Sequence, residues 1–293
     1  MHQVKINLAK SAGFCFGVKR ALDIAFKTAH PKTEVYMLGD IVHNEDVVRQ
    51  INNTGIKKIK RLWLSGKNKI LLLRAHGTSM HTLKKAGRLG YKIVDATCPM
   101  VKEIHKIAKG MEEKDYKIIV IGDKKHDEVH GIVGQLKSKA IVIDPAAMHR
   151  CGVDSHKQIP FKAIKRIKKA CVVVQSTQNL EKVLEIVEIL KTYIAELEFF
   201  NTICKPTRIK QEEIKTLPLQ NDVMVIIGSK NSANTQRLYE ISKSLNKQSY
   251  WVSSRKEIKS GWFRDAKSVG VSAGASTPDS TTQDVIEHIK RIT

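Results

Sequence analysis

The chain has five cysteines in 293 residues, an odd and sparse set that excludes a disulfide framework. No apolar run approaches the roughly 20 residues that span a bilayer, so no membrane association is expected. The opening segment MHQVKINLAK passes straight into a strand-like pattern. It carries neither signal-peptide nor transit-peptide character, and with thiols this sparse the expected location is cytoplasmic. Aromatic residues make up only 5% and are nowhere clustered, while acidic residues number 29 against 51 basic ones, a formal charge of +22. That excess invites a nucleic-acid partner, yet the Lys and Arg are spread along the whole chain without a basic tail or a base-stacking platform. No nucleic acid is therefore expected. The lysines read as solvated helix faces whose field steers anionic substrates and acidic redox partners. The G-x-x-x-x-G-K-[ST] loop and a G-x-G-x-x-G after a strand are both missing, which disfavours ATP or NAD as the main ligand.

What is present is a repeat. Cys15, Cys98 and Cys204 each follow a short β-like run and open a helical pattern, in NLAKSAGFCFGVKRAL, YKIVDATCPMVKEIH and EFFNTICKPTRIKQ. After each comes an apolar strand ending near glycine and a polar loop: VYMLGDIVHN, YKIIVIGDKKHDEVHG and DVMVIIGSKNSANTQRL. A second strand and polar loop follow, in KILLLRAHGTS, ACVVVQSTQNL and SVGVSAGASTPDS. Weaker β-like pieces, GIKKI, AIVID and SYWVSS, lie between them. Alternating β and α patterns with short connections imply parallel sheets. The expected fold is α/β, with three pseudo-symmetric lobes of parallel sheet around a central iron–sulfur cluster. The lobes are 1–97, 98–203 and 204–293, the last completed by the N-terminal strand.

In open α/β sheets ligands bind beyond the carboxyl ends of strands, and the polar residues concentrate there. Three cysteines in one repeat position suit a shared metal. Zinc would want a fourth ligand, commonly His; a [4Fe–4S] cluster usually takes four cysteines, so three would leave one iron open. Cys171, in ACVVV, reads as core, and Cys151 has no such register. His43, His76 and His126 lie at matching strand ends, where donation to a phosphate competes with zinc ligation. The Ser/Asn-rich loops GSKNSAN and SAGAS favour the phosphate. Glu128 in HDEVHG is by default a solvated carboxylate. Two residues after His126 and beside an anion pocket, it becomes a candidate proton donor if its geometry and pKa allow.

Taken in order, AGFCFGVKRAL, GDIVHNEDVV, RAHGTS, VDATCPMV, HDEVHG, NTIC, GSKNSAN and SAGASTPD closely resemble the 4-hydroxy-3-methylbut-2-enyl diphosphate reductase family, the LytB proteins, over essentially the whole chain. The resemblance implies a trilobed α/β fold and one [4Fe–4S] cluster per chain, held by Cys15, Cys98 and Cys204. It implies diphosphate binding by His43, His76, His126, Ser232, Asn234 and Ser276. Ser176 stands where the family has a threonine near the substrate hydroxyl, with Thr177 beside it, and Glu128 delivers protons. The implied reaction is reductive dehydroxylation of an allylic alcohol diphosphate to isopentenyl and dimethylallyl diphosphate, the last step of the methylerythritol phosphate route. With no flavin, NAD or second-cluster motif, electrons come from an external donor such as ferredoxin or flavodoxin. The chain departs from the family at Ala233, where a second serine is usual, at Asp40 and Glu45, where prolines are frequent, and at Lys210, where arginine is frequent.

Overall fold

Three runs rich in β-branched residues form the sheet centres: KIIVI in β6 (Lys117–Ile121), KACVVV in β8 (Lys169–Val174) and VMVII in β10 (Val223–Ile227). Nearly every position in them is buried, as expected of parallel strands covered on both faces. The computed structural model describes residues 4–29, 33–62, 65–145 and 160–293. The remaining strands are β1 (Lys5–Leu8), β2 (Glu34–Leu38), β3 (Lys57–Ile59), β4 (Lys69–Leu73), β5 (Lys92–Asp95), β7 (Ile141–Ile143), β9 (Glu196–Phe199), β11 (Ser249–Val252) and β12 (Ser268–Ala273). They build three four-stranded sheets, β3-β2-β4-β5, β7-β6-β8-β9 and β11-β10-β12-β1. Every neighbouring pair is parallel.

All three sheets share one order: the second strand of the repeat at one edge, then the first, the third and the fourth. The fourth strand, β5, β9 or β1, is the one that leads into Cys98, Cys204 or Cys15. In the third sheet this strand comes from the start of the chain, Lys5 to Leu8 pairing in register with Ser268 to Val271. The weak pieces GIKKI, AIVID and SYWVSS are β3, β7 and β11, edge strands of three or four residues. Short edges of this kind resist unwanted pairing with other chains.

The chain divides into two compact units. One comprises Met1–Arg20, Val42–Asn53 and Cys204–Thr293, the other Ala21–Ile41 and Thr54–Ile203. The first unit carries the β11-β10-β12-β1 sheet and the second carries the other two. Strand alternation sorts the core of each. In the second unit Ile119, Ile121, Val172 and Val174 pack into one cluster, while Ile118, Val120, Cys171 and Val173 pack into another. In the first unit Val223, Val225 and Ile227 go one way with Val269 and Val271, and Met224 and Ile226 go the other. Among the described residues no helix is long and apolar enough to cross a membrane.

Candidate functional site

The three repeat cysteines occupy equivalent backbone positions. The carbonyls of Cys15, Cys98 and Cys204 each accept the first helical hydrogen bond, from Lys19, Lys102 and Arg208, all at 3.0 Å. Each cysteine is thus the residue just outside a helix: Phe16–Thr28, Pro99–Glu112 or Lys205–Thr216. Prolines fall in the first turn of the last two, where no N–H is needed. The thiols are reduced and half-buried. Third strands hold two of the cysteines, since Cys15 N–H donates to the Ala275 carbonyl (3.1 Å) beyond β12 and Cys98 N–H to the Ala75 carbonyl (3.0 Å) beyond β4. Cys204 Sγ lies 3.1 Å from the Thr207 hydroxyl. Reduced, partly exposed thiols at fixed helix starts are the donor set an iron–sulfur cluster uses. Cys171 differs: it is fully buried in β8, and burial together with nearby Glu198 pushes its thiol up to about 12. Cys151 lies outside the described residues.

In the second unit, Glu128, Ser176, His76 and His126 come together. The Glu128 carboxylate is 2% exposed. One of its oxygens accepts the Ser176 N–H at 2.6 Å and the other the Ser176 hydroxyl at 2.8 Å. Burial drives its pKa up to about 6; the two Ser176 bonds pull the other way, and Asp123 adds a smaller upward push. The Thr177 hydroxyl is engaged by the Gln175 amide instead (3.0 Å), so Ser176 is the hydroxyl that touches Glu128. His126 precedes the helix Asp127–Val133, and its Nδ1 accepts the Glu128 N–H at 3.1 Å. That places the proton of the neutral ring on Nε2, a donor suited to an anion. The His76 and His126 rings meet edge to face with centroids 5.4 Å apart. The loop carrying His76 turns at Gly77, whose φ is +75° and where a Cβ would lie 2.7 Å from His105. Arg74 crosses the face of Gly39 to pair with Asp127 at 2.6 Å, tying the loops after β2 and β4 to the start of the Glu128 helix.

In the first unit, Ser232, Asn234, Ser276 and His43 gather at the carboxyl ends of β10 and β12. Ser232 caps the helix Ala233–Leu245, its hydroxyl oxygen accepting the Thr235 N–H at 3.3 Å. A hydroxyl that accepts in this way still has its hydrogen to donate. Ala233, first in that helix, has an N–H with no intrahelical acceptor. The Asn234 side chain is 4% exposed, and among the described residues neither its carboxamide oxygen nor its nitrogen has a hydrogen-bond partner. A buried carboxamide left wholly unsatisfied costs about 1–3 kcal/mol or more, so this site is built for something polar. Ser276 donates to the His43 carbonyl at 3.2 Å, and Thr281 to Asp46 at 3.3 Å, fixing the His43 segment against the loop after β12. Glu45 does the same for the loop after β10, accepting from the Ser229 hydroxyl (2.9 Å) and the Asn231 amide (3.2 Å).

Two departures from the family pattern therefore have structural roles that spacing does not reveal, Glu45 as this latch and Lys210 as a buried cation. Lys210 is 2% exposed and donates to the Ser11 carbonyl, to that of Gly13 (3.0 Å) and to that of Ala273 (3.1 Å). Nothing local marks either one, because their partners lie between 63 and 199 residues away in sequence.

A family model described as LytB protein matches residues 6–290. A curated 4-hydroxy-3-methylbut-2-enyl diphosphate reductase from Geotalea uraniireducens is 38% identical over 290 residues, covering 99% of this chain and 98% of that one. One from Aquifex aeolicus is 37% identical over 293 residues, covering 99% and 97%. Among solved structures, that of an (E)-4-hydroxy-3-methyl-but-2-enyl diphosphate reductase, the terminal enzyme of the non-mevalonate pathway, superposes with a TM-score of 0.69. It is 37% identical and covers 98% of this chain and 99% of that one. A Plasmodium falciparum reductase structure, at 24% identity and a TM-score of 0.85, shares the fold.

Proposed function

The chain belongs to the LytB protein family, and from that premise we propose that it reductively dehydroxylates (E)-4-hydroxy-3-methylbut-2-enyl diphosphate to isopentenyl and dimethylallyl diphosphate. The observation that carries this reading is the buried Glu128 carboxyl, held on both oxygens by Ser176 and raised to about 6. Loss of a hydroxyl as water needs a proton donor whose acid form persists to higher pH than an ordinary carboxyl's, and burial supplies one here.

Cys15, Cys98 and Cys204 would hold one [4Fe–4S] cluster, one thiolate from each of the lobes 1–97, 98–203 and 204–293. When bound, that cluster supplies an iron lacking a protein ligand and passes on two electrons singly. His43, His76, His126, Ser232, Asn234 and Ser276 grip the diphosphate. Asn234 gains the partners it lacks, Ser232 offers its hydroxyl hydrogen, and His126 offers Nε2–H. Ser176 sits between Glu128 and the substrate hydroxyl and relays the proton. Each phosphate oxygen so held is desolvated only where a donor waits for it.

Glu45 latches the Ser232 loop by two hydrogen bonds, each worth about 1 kcal/mol. Its charge is exposed and screened by salt, so the latch outweighs repulsion of the substrate. Glu45→Ala is expected to raise KM about fivefold to tenfold with kcat within twofold. Glu45→Gln, which keeps an acceptor, should stay near the parent. Steady-state kinetics on the three proteins settle it, and an unchanged KM in the alanine variant sinks the latch.

The electron donor is external, an acidic ferredoxin or flavodoxin in the reducing cytoplasm, drawn in by the +22 charge. Its rate of electron delivery should fall steeply between low and physiological salt, where the screening length shrinks from about 30 Å to about 8 Å. A rate indifferent to salt contradicts steering. The activity itself is tested on protein purified without oxygen, given the substrate and a reduced viologen dye. Both C5 diphosphates should accumulate, and iron and acid-labile sulfide should each approach about four per chain. Zinc without sulfide, or no product, overturns the reading.

A further inference from the structure

We propose that Lys210 is a positioning residue for Cys15: together with Glu213, it clamps the loop that carries Cys15 to the helix that begins at Cys204. The loop leaves β1 after Leu8 and reaches Cys15 through Ala9–Phe14. Main-chain bonds hold its two ends, Ala9 N–H to the Val271 carbonyl and Cys15 N–H to the Ala275 carbonyl, and Ala12 N–H turns back to the Ala9 carbonyl. Its Ser11 and Gly13 carbonyls are taken by the Lys210 ammonium, whose third bond goes to the Ala273 carbonyl at the end of β12. One turn further along the helix, the Glu213 carboxylate accepts both the N–H of Ser11 (2.9 Å) and its hydroxyl. Two oppositely charged side chains on one helix thus take the acceptors and donors of one short loop. Gly13 makes the close approach possible, with φ of +90° and no Cβ where Asp279 stands.

A lysine at 2% exposure is rarely there without paired acceptors, and here two of its three acceptors are main-chain atoms two and four residues before a thiol. Three carbonyls saturate the three donors of an ammonium, so the geometry is fixed in all directions. The consequence is that Cys15 is oriented before any cluster arrives, with Cys204 at the head of the same helix. Arginine at this position would reach the same carbonyls with its five donors. Methionine keeps the apolar stem but leaves all three carbonyls without their donor.

The proposal rests on Cys15 being a cluster ligand, and its test separates the two ideas. Hydrogen exchange by mass spectrometry on the metal-free protein reads the clamp alone. Lys210→Met should speed exchange in residues 9–16 at least tenfold while β10 and β12 stay protected, and Lys210→Arg should restore slow exchange. Iron release to a chelator, measured without oxygen, reads the consequence: release at least about tenfold faster in Lys210→Met than in the parent or Lys210→Arg. Unchanged exchange in residues 9–16 overturns the clamp whether or not the parent carries iron. Faster exchange with unchanged iron release overturns the positioning role. A parent without iron refutes the cluster reading and, with it, the role assigned to Lys210. Should Lys210→Met fail to fold, Glu213→Ala removes only the other half of the clamp and must show the same localised exchange, or the proposal fails.

Discussion

Glu128→Gln is expected to lower turnover by about a hundredfold to ten-thousandfold, the range for removing a general acid, while leaving iron content and substrate affinity near the parent's. The substitution preserves the shape of the site. A carboxamide oxygen still accepts the Ser176 N–H, and its NH2 can turn to the Ser176 hydroxyl oxygen, so neither partner is stranded. What disappears is a titrating proton. The parent's kcat/KM should therefore fall as pH rises above about 6, because the free enzyme loses the acid form there. The residual activity of the variant should lack that limb. The same shift has a stability signature. Because the folded-state value lies above the ordinary 4.5, protonation favours the fold by about 2 kcal/mol. That contribution is complete below pH about 4.5, fades as pH rises through 6, and should be missing from Glu128→Gln in parallel denaturant titrations. Near-parent turnover in the variant, measured from single-turnover product formation, would remove Glu128 from the chemistry.

Cys98→Ser should lose the cluster without losing the fold. Iron in anaerobically purified protein is expected to drop from about four per chain to below one, and turnover to less than about a hundredth. The main-chain bonds that seat residue 98, N–H to Ala75 and carbonyl to Lys102, do not involve the thiol. Cys98 also makes no capping bond to its helix, whereas serine is among the best capping residues, a gain of about 0.5–1 kcal/mol. The metal-free variant should therefore melt at the same temperature as the metal-free parent or a few degrees higher. A variant that retains four irons would refute the ligand assignment. One that loses iron because it has unfolded would show that the thiol, not the backbone, holds this turn.

How much of this was legible beforehand follows from where the information sits. The three cysteines could be read because the repeat puts each after a strand and before a helix, and the fold keeps that place to the level of a single hydrogen bond. The buried parallel strands were legible in IIVI, VVV and MVII, where apolar runs are too short for helices. Edge strands β3 and β7 were faint because three residues carry little pattern and edges need little burial. The pairing of Glu128 with Ser176 spans 48 residues, so spacing supplied the two groups and not their bond. Lys210 was least visible of all. In KPTRIKQEEIKT a lysine looks like one more solvated charge, and only the folded partners show it to be buried.

The first strand of this protein finds its partner last. Lys5 pairs with Ser268, 263 residues later (268 − 5), and at roughly 5–20 residues per second a ribosome takes on the order of 13–50 s to cover that distance. Throughout that interval β1 has no β12 to join and the Cys15 loop lacks its strand anchor, while Lys210 is added only in the last part of it. The two middle sheets, by contrast, are complete within their own stretches of nascent chain. Cofactor loading that needs all three thiols in place therefore waits until β12 has been made, a delay to be sought in pulse-labelled cells.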